Sequence, residues 1–144
     1  MHGFSTTRSW NLQASKYGMQ STNYTLTPGN DYLTLNATGA NPVFWLETGF
    51  SKLVKGLDGP LIRMRIKRTG GAGWVGKFRW KNAAHTYQDA NSLSIADGTV
   101  TGQWVILQWD VRAIGDYEAS DILGIEFSLG KLPGCFLNIL LLIR

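Results

Sequence analysis

The 144-residue chain contains little cysteine and little histidine. Its one cysteine, Cys135, has no partner within the chain, so the sequence is not that of a small domain held together by disulfides. The two histidines, His2 and His85, have no second ligand at metal-binding spacing. We therefore predict no metal site and no cofactor.

Signatures of enzymes are also missing. The sequence has no Gly-x-Ser-x-Gly elbow and no glycine loop placed between a strand and a helix to bind phosphate. Five acidic residues between positions 110 and 126 could pair as in glycoside hydrolysis, but nothing holds two of them at a catalytic separation. We predict a protein that is not an enzyme, and a small glycan hydrolase is the least favoured hypothesis.

Long apolar runs are absent as well. No segment approaches the roughly 20 apolar residues of a membrane helix, and the N-terminus lacks the apolar run of a signal peptide. The longest run, residues 135–143, suits a central strand. The net charge of +4 permits an anionic partner, but no nucleic-acid-binding module is recognisable. We predict no membrane span and no nucleic-acid partner.

Glycine and aromatic residues are abundant, with 17 glycines, six tryptophans, six phenylalanines and five tyrosines. Short segments of alternating apolar and polar residues recur about every ten residues between Gly, Pro and Asn turns. This pattern predicts an all-β, antiparallel sandwich or barrel of about eight or nine strands, with one short helical turn at 112–120. We expect a single domain, residues 1–144, in which residues 1–30 form a partly irregular N-terminal arm.

The clearest pattern lies between Pro60 and Trp80. Two segments alternate apolar with basic residues, and the glycines between them predict a tight turn and hence an antiparallel hairpin. One face would then carry much of the positive charge, in Arg63, Arg65, Lys67, Lys77 and Arg79. We predict that Arg63, Arg65, Lys67 and Lys77 form an interface with an acidic subunit or an anionic polymer. The alternative is a solvated face that discourages pairing of sheet edges.

Aromatic residues in the same region suggest a ligand site. An indole stacks on the apolar face of a sugar ring, while neighbouring polar groups bind its hydroxyls. The predicted ligand-binding residues are Trp74, Arg79, Trp80, Tyr87, Gln88 and Asp89. Two alternatives stay open: Trp80, Trp104 and Trp109 could belong to the core, and exposed aromatic residues would equally suit a protein interface.

The order of these segments resembles a known family. A GNDYLTL strand precedes TGANP and an apolar strand, IRMRIK and FRW strands follow, and GQW, WDV and ILGIEF come before a closing apolar strand. Over residues 30–143 this resembles the β-jelly roll of carbohydrate-binding modules, also called galactose-binding-like. Such domains occur beside polysaccharide-degrading enzymes and in bacteriophage virion proteins. The last strand reads Leu137-Asn138-Ile139 where relatives often have an acidic residue and an aromatic one, which weakens the case for the structural calcium site of many relatives.

Two further hypotheses follow from this resemblance. Since the chain begins with Met1 and shows no export signal, our first expectation is a virion decoration or fibre protein, made in the host cytoplasm and attached to a capsid or tail. Its partners would be other virion proteins or itself, as a homo-oligomer such as a trimer, with polysaccharide as a further ligand. The alternative is an extracellular carbohydrate-binding module of a secreted polysaccharide-degrading system.

Overall fold

A computed structural model describes residues 6–9, 20–28, 33–47, 54–58, 60–69, 73–131 and 135–143. These residues form thirteen strands, of which eight have five or more residues, and one turn of 3-10 helix at Asp89–Asn91. The strands are β1 Thr6–Ser9, β2 Gln20–Thr22, β3 Tyr24–Pro28, β4 Leu33–Ala37, β5 Val43–Glu47, β6 Val54–Lys55, β7 Leu61–Lys67, β8 Trp74–Lys81, β9 Ser92–Ser94, β10 Val105–Asp110, β11 Asp121–Ile122, β12 Gly124–Gly130 and β13 Cys135–Ile143.

The strands form an antiparallel β-sandwich. Sheet A has six strands in the order β10-β7-β13-β4-β3, with β1 also paired to β13. Sheet B has five strands in the order β2-β5-β12-β8-β9, and β6 pairs with β11 in a small separate ribbon. The all-β sandwich predicted from the sequence is therefore confirmed. The apolar run at 135–143 forms a central strand of sheet A, as predicted.

The core lies between the two sheets because each strand turns one face of its alternating pattern inward. Sheet A contributes aliphatic side chains such as Leu33, Leu35 and Ile62, which are fully buried. Sheet B contributes rings, and Phe127 lies at their centre with its ring centroid 5.4 Å from that of Phe44. This contact is stacked, whereas Phe127 meets Phe78 at a tilt and Trp109 edge-on, and such ring contacts add to the free energy gained from burial.

The predicted hairpin between β7 and β8 is wrong. Strand β7 pairs with β10 and β13 in sheet A, whereas β8 pairs with β12 and β9 in sheet B. The chain crosses from one sheet to the other between these strands, so each covers the same core from opposite sides. Of the glycines predicted to make the turn, Gly70 and Gly71 lie outside the described residues, and Gly73 has a positive φ of 90°.

One smaller feature also differs from expectation. The segment 112–120 is not helical but consists of successive turns, closed by bonds from the amides of Ile114, Tyr117 and Ser120 to the carbonyls three residues earlier. Tyr117 is fully buried, which anchors these turns to the core.

Within the described residues, no helix has the length and apolarity needed to cross a bilayer.

Candidate functional site

The outward side of sheet B presents a continuous surface that we call the B face. Its central row crosses all five strands, because directly opposed residues point to the same side of a sheet. This row consists of Gln20, Trp45, Glu126, Arg79 and Ser92. Flanking rows contain Val43, Ser128 and Lys77 on one side and Glu47, Gly124 and Lys81 on the other.

An ion-pair network holds the middle of the B face. The Arg79 guanidinium donates from Nε to Oε1 of Glu126 at 2.6 Å, and its Nη2 contacts the same oxygen. Glu126 is only 6% exposed, although it points outward. Asp89 accepts from Lys77 at 3.0 Å and from Arg79 at 3.3 Å. The hydrogen bond and charge of Lys77, together with Arg79, lower the pKa of Asp89, so both cations are held by a charged carboxylate at neutral pH.

Tyr87 lies across the B face at the row of Gly124. Its hydroxyl donates to Oε1 of Glu47 at 3.0 Å. A Cβ at Gly124 would overlap this hydroxyl, so the glycine provides the space that the phenol occupies. Burial, followed by the hydrogen bond and charge of Glu47, raises the pKa of Tyr87. The hydroxyl therefore remains a protonated donor throughout the physiological range.

Hydrogen bonds to side chains hold the loop that carries Tyr87 in place. The Asn82 side-chain oxygen accepts from the amides of Ala84 and His85, each at 2.9 Å, which closes a local turn. His85 Nε2 contacts Oδ2 of Asp116 at 2.8 Å, and the indole of Trp80 donates to Oδ1 of Asp116 at 2.8 Å. These bonds connect the loop to both the core and the turns at 112–120, and they set the position of Tyr87.

A groove of about 780 Å³ opens on the B face. It runs from the loop around Asn41 and Pro42 to Val75, and Lys77, Arg79 and Asp89 form its charged wall. Val75 is exposed and provides an apolar patch in the groove. Open grooves that combine apolar surface with a few fixed polar groups are typical of ligand sites.

The structure brings only some of the predicted ligand-binding residues together. Arg79, Tyr87 and Asp89 all lie on or beside the B face. Gln88 is exposed next to them, at the start of the 3-10 turn. Trp80 is fully buried and points into the core, so its prediction as a ligand-binding residue is wrong and the core alternative holds for it. Trp109 is likewise buried.

Trp74 is another predicted ligand-binding residue, and the structure places its side chain against the core. Its indole lies over Gly76 and packs partly buried against the core. The indole N–H donates to the carbonyl of Ile95 at 2.9 Å. With its N–H bonded and its ring at the sandwich edge, Trp74 does not present a free stacking surface on the B face.

The predicted basic interface is divided between two surfaces. Arg63, Arg65 and Lys67 belong to β7 and face outward from sheet A. Lys77 belongs to β8 and is on the B face, on the other side of the sandwich. The prediction of one patch formed by all four is therefore wrong, because the hairpin that would have joined them does not exist.

Sequence reasoning missed Trp45 and Glu126, which occupy the centre of the B face. Trp45 is partly exposed, between the buried Phe44 and Leu46. The alternation of its strand contained the signal, but Phe44 and Trp45 are adjacent aromatics and the pattern alone did not indicate which one faced out. Within the described part of the chain, no cluster of three or more His, Cys, Asp or Glu side chains is placed to hold a metal ion.

Comparison with known proteins identifies relatives of the fold only. No protein-family model matches the chain, and no curated protein matches it by sequence. Solved structures do match. A variant of CBM29-2, studied for ligand recognition by family 29 carbohydrate-binding modules, superimposes with a TM-score of 0.59 at 18% identity. The alignment covers 96% of this chain and 91% of that one.

Two structures from a Clostridium thermocellum xylanase are also similar. A chain that contains the CBM22-1 and GH10 modules of endo-1,4-β-D-xylanase 10B, solved with xylohexaose, matches with a TM-score of 0.60 at 12% identity. The match covers all of this chain and 29% of that one. The C-terminal family 22 module of the same enzyme gives 0.52 at 13% identity, over 98% and 94% of the two chains. The predicted carbohydrate-binding-module fold is thus confirmed, while these structures give no support to the predicted link with virions.

Proposed function

We propose that this chain is a non-catalytic module that binds polysaccharide on the B face. The main support for the proposal is that two aromatic side chains lie around a fixed ion pair on one open sheet face. Trp45 and Arg79 are the neighbours of Glu126 on either side, and Tyr87 lies across the next row at Gly124. Aromatic rings stack on sugar C–H faces, and fixed charged groups bind hydroxyls.

The polar groups of this face are ready to bind before a ligand arrives. Both contacts from Arg79 to Glu126 use Oε1, so within the described residues Oε2 is left to accept from a sugar hydroxyl. Arg79 is held by Glu126 and Asp89, so little side-chain entropy is lost when a ligand binds. Gln88 and Asp89 lie at the rim, where their side chains can contact a longer chain.

The similarity of the fold to carbohydrate-binding modules supports this function over the virion role expected from the sequence. We therefore favour the alternative in which the chain acts outside the cell, beside enzymes that degrade polysaccharides. Self-association was expected as part of the virion role, and binding through the B face does not require it.

The proposal predicts that Trp45→Ala weakens polysaccharide binding at least about thirtyfold, since an aromatic anchor contributes about 2 kcal/mol. Affinity electrophoresis through gels containing neutral xylan, glucomannan or mixed-linkage glucan would measure retardation of the native chain and the variant. Leu57→Ala removes an exposed apolar side chain from a turn near β6 and is the matched control. If no neutral polysaccharide retards the native chain, or if Trp45→Ala is retarded equally, the proposal is wrong.

A further inference from the structure

The outward side of sheet A carries a row of three cations, Arg63, Arg65 and Lys67, which we call the A row. They alternate along β7 with the buried Ile62, Met64 and Ile66. Neighbours on one face of a strand are separated by about 6.8 Å, so the row extends for about 14 Å. This row faces away from the B face, with the hydrophobic core between them.

The cations of the A row differ from those of the B face in how they are paired. On the B face, Lys77, Arg79 and Lys81 each lie within 4 Å of a carboxylate. No member of the A row forms an ion pair with any side chain that the structure describes. The charge of the A row is therefore not neutralised by the described part of the chain.

The composition of sheet A strengthens this charge. Among the strand side chains of sheet A that the structure describes, the three cations of the A row are accompanied by one acidic residue, Asp110. Asp110 binds Arg112 through both carboxylate oxygens, at 2.9 and 2.6 Å. The strand residues of sheet A thus carry a net positive charge, which attracts anions and repels other cations.

Two of the three cations are also held in place by neutral groups. The Arg65 guanidinium carbon lies 3.9 Å from the centroid of the Trp104 ring, a cation–π contact that leaves its charge intact. Arg63 donates from Nε to the side-chain oxygen of Gln108 at 2.8 Å. These contacts orient the guanidinium groups without supplying a negative charge, and the remaining N–H groups are free to bind an anion bidentately.

We propose that the A row binds an acidic polysaccharide, one with carboxylates on its sugar units. A linear polymer with regularly repeated charge is complementary to cations at regular intervals along an extended strand. This inference is independent of the function proposed for the B face.

The test compares two polymers that share a backbone. Affinity electrophoresis is run through polygalacturonate and through highly methyl-esterified pectin, in which most of the carboxylates are neutral. We expect retardation by polygalacturonate alone, and we expect it to vanish on going from about 0.01 M to about 1 M salt, as screening shortens the range of the charges. Equal retardation by the esterified polymer would overturn the proposal.

Substitutions in the A row test whether these cations bind polygalacturonate. Arg63→Gln, Arg65→Gln and Lys67→Gln combined should weaken polygalacturonate binding about tenfold, and Lys67→Gln alone about twofold to threefold. Lys55→Gln removes an exposed lysine that also forms no ion pair among the described residues, and should change nothing. The side chain of Lys67 forms no hydrogen bond or ion pair with a described group, so we expect its single variant to fold even if the triple variant does not. Native-like binding by Lys67→Gln and by a folded triple variant would overturn the proposal.

Two further outcomes distinguish the ligand and the site. Binding of poly-glutamate or duplex DNA as tightly as polygalacturonate would reject an acidic polysaccharide as the specific ligand. Trp45→Ala should lose neutral polysaccharide but keep polygalacturonate, and the triple variant should do the reverse. Loss of polygalacturonate binding in Trp45→Ala alone would assign acidic chains to the B face and refute the role of the A row.

Discussion

Replacing Gly124 by Ala tests whether Tyr87 belongs to a binding surface. The new Cβ would overlap the Tyr87 hydroxyl and would lie 2.7 Å from Glu47 Cγ and 3.3 Å from the carbonyl oxygen of Leu46. Two of these three neighbours are ends of side chains, which can move. The backbone of Gly124 has no positive φ that would exclude alanine. We therefore expect Tyr87 and Glu47 to be displaced while the strand remains in place.

Two opposing effects determine how much Gly124→Ala changes the free energy of unfolding. Alanine in a strand is favoured over glycine by about 0.5–1 kcal/mol. Breaking the hydrogen bond from Tyr87 to Glu47 costs about 0.5–1.5 kcal/mol. The free energy of unfolding should thus change by less than about 1 kcal/mol, and Tm by less than about 5 °C. Binding of a neutral polysaccharide should fall about tenfold, because a displaced ring loses its stacking with the sugar.

The assay pairs thermal unfolding with affinity electrophoresis for Gly124→Ala, Tyr87→Ala and the double variant. If alanine at 124 acts through Tyr87, the double variant should bind no more weakly than Tyr87→Ala. Gly98→Ala is the matched control, because a Cβ there meets only a methyl group of Leu107 at 3.0 Å. Full binding by Gly124→Ala, or additive losses in the double variant, would refute the reasoning.

Two other predictions concern stability. Phe127→Ala should reduce the free energy of unfolding by about 3–5 kcal/mol in urea titrations, because it removes a buried ring that contacts Phe44, Phe78 and Trp109, and an equal effect of Phe127→Leu would contradict this. Burial opposes ionisation of Asp116, but bonds from Trp80, Asn82 and His85 outweigh it and lower its pKa. Its contribution to stability is present above about pH 4 and is lost as pH falls through the folded pKa. Acid unfolding as steep in Asp116→Asn as in the native chain would contradict this role.

The strands and their inward faces could be predicted because they depend on local spacing. The apolar strand predicted after TGANP coincides with β5, and the GNDYLTL strand turns its Leu33 and Leu35 into the core. A period of two in the sequence indicates which side chains contact the core, since shifting the strand register by one residue would expose all of them. Residues 112–120 had no such period, and their turns depend instead on anchoring by the buried Tyr117.

The candidate site was harder to predict because its contacts join distant segments. Tyr87 reaches Glu47 across 40 positions, and Arg79 reaches Glu126 across 47. The predicted site consisted of residues close along the chain, so it included Trp74 and Trp80 and omitted Trp45 and Glu126. Side chains two apart on a strand share a face, and by this rule Arg79 could not share one with its neighbour Trp80.

The error over β7 and β8 has a physical origin that also explains the two surfaces. Two amphipathic strands joined by a glycine-rich connection show the same alternation whether they pair in one sheet or cover one core from opposite sheets. In both arrangements the apolar side chains meet the core, and burial alone does not distinguish them. Only the second arrangement sends the basic side chains of the two strands in opposite directions. The charge that looked like one patch is therefore divided by the core. The A row has no ion pair among the described residues, whereas the cations of the B face are neutralised. This division is the reason that we propose a neutral ligand for the B face and an acidic one for the A row.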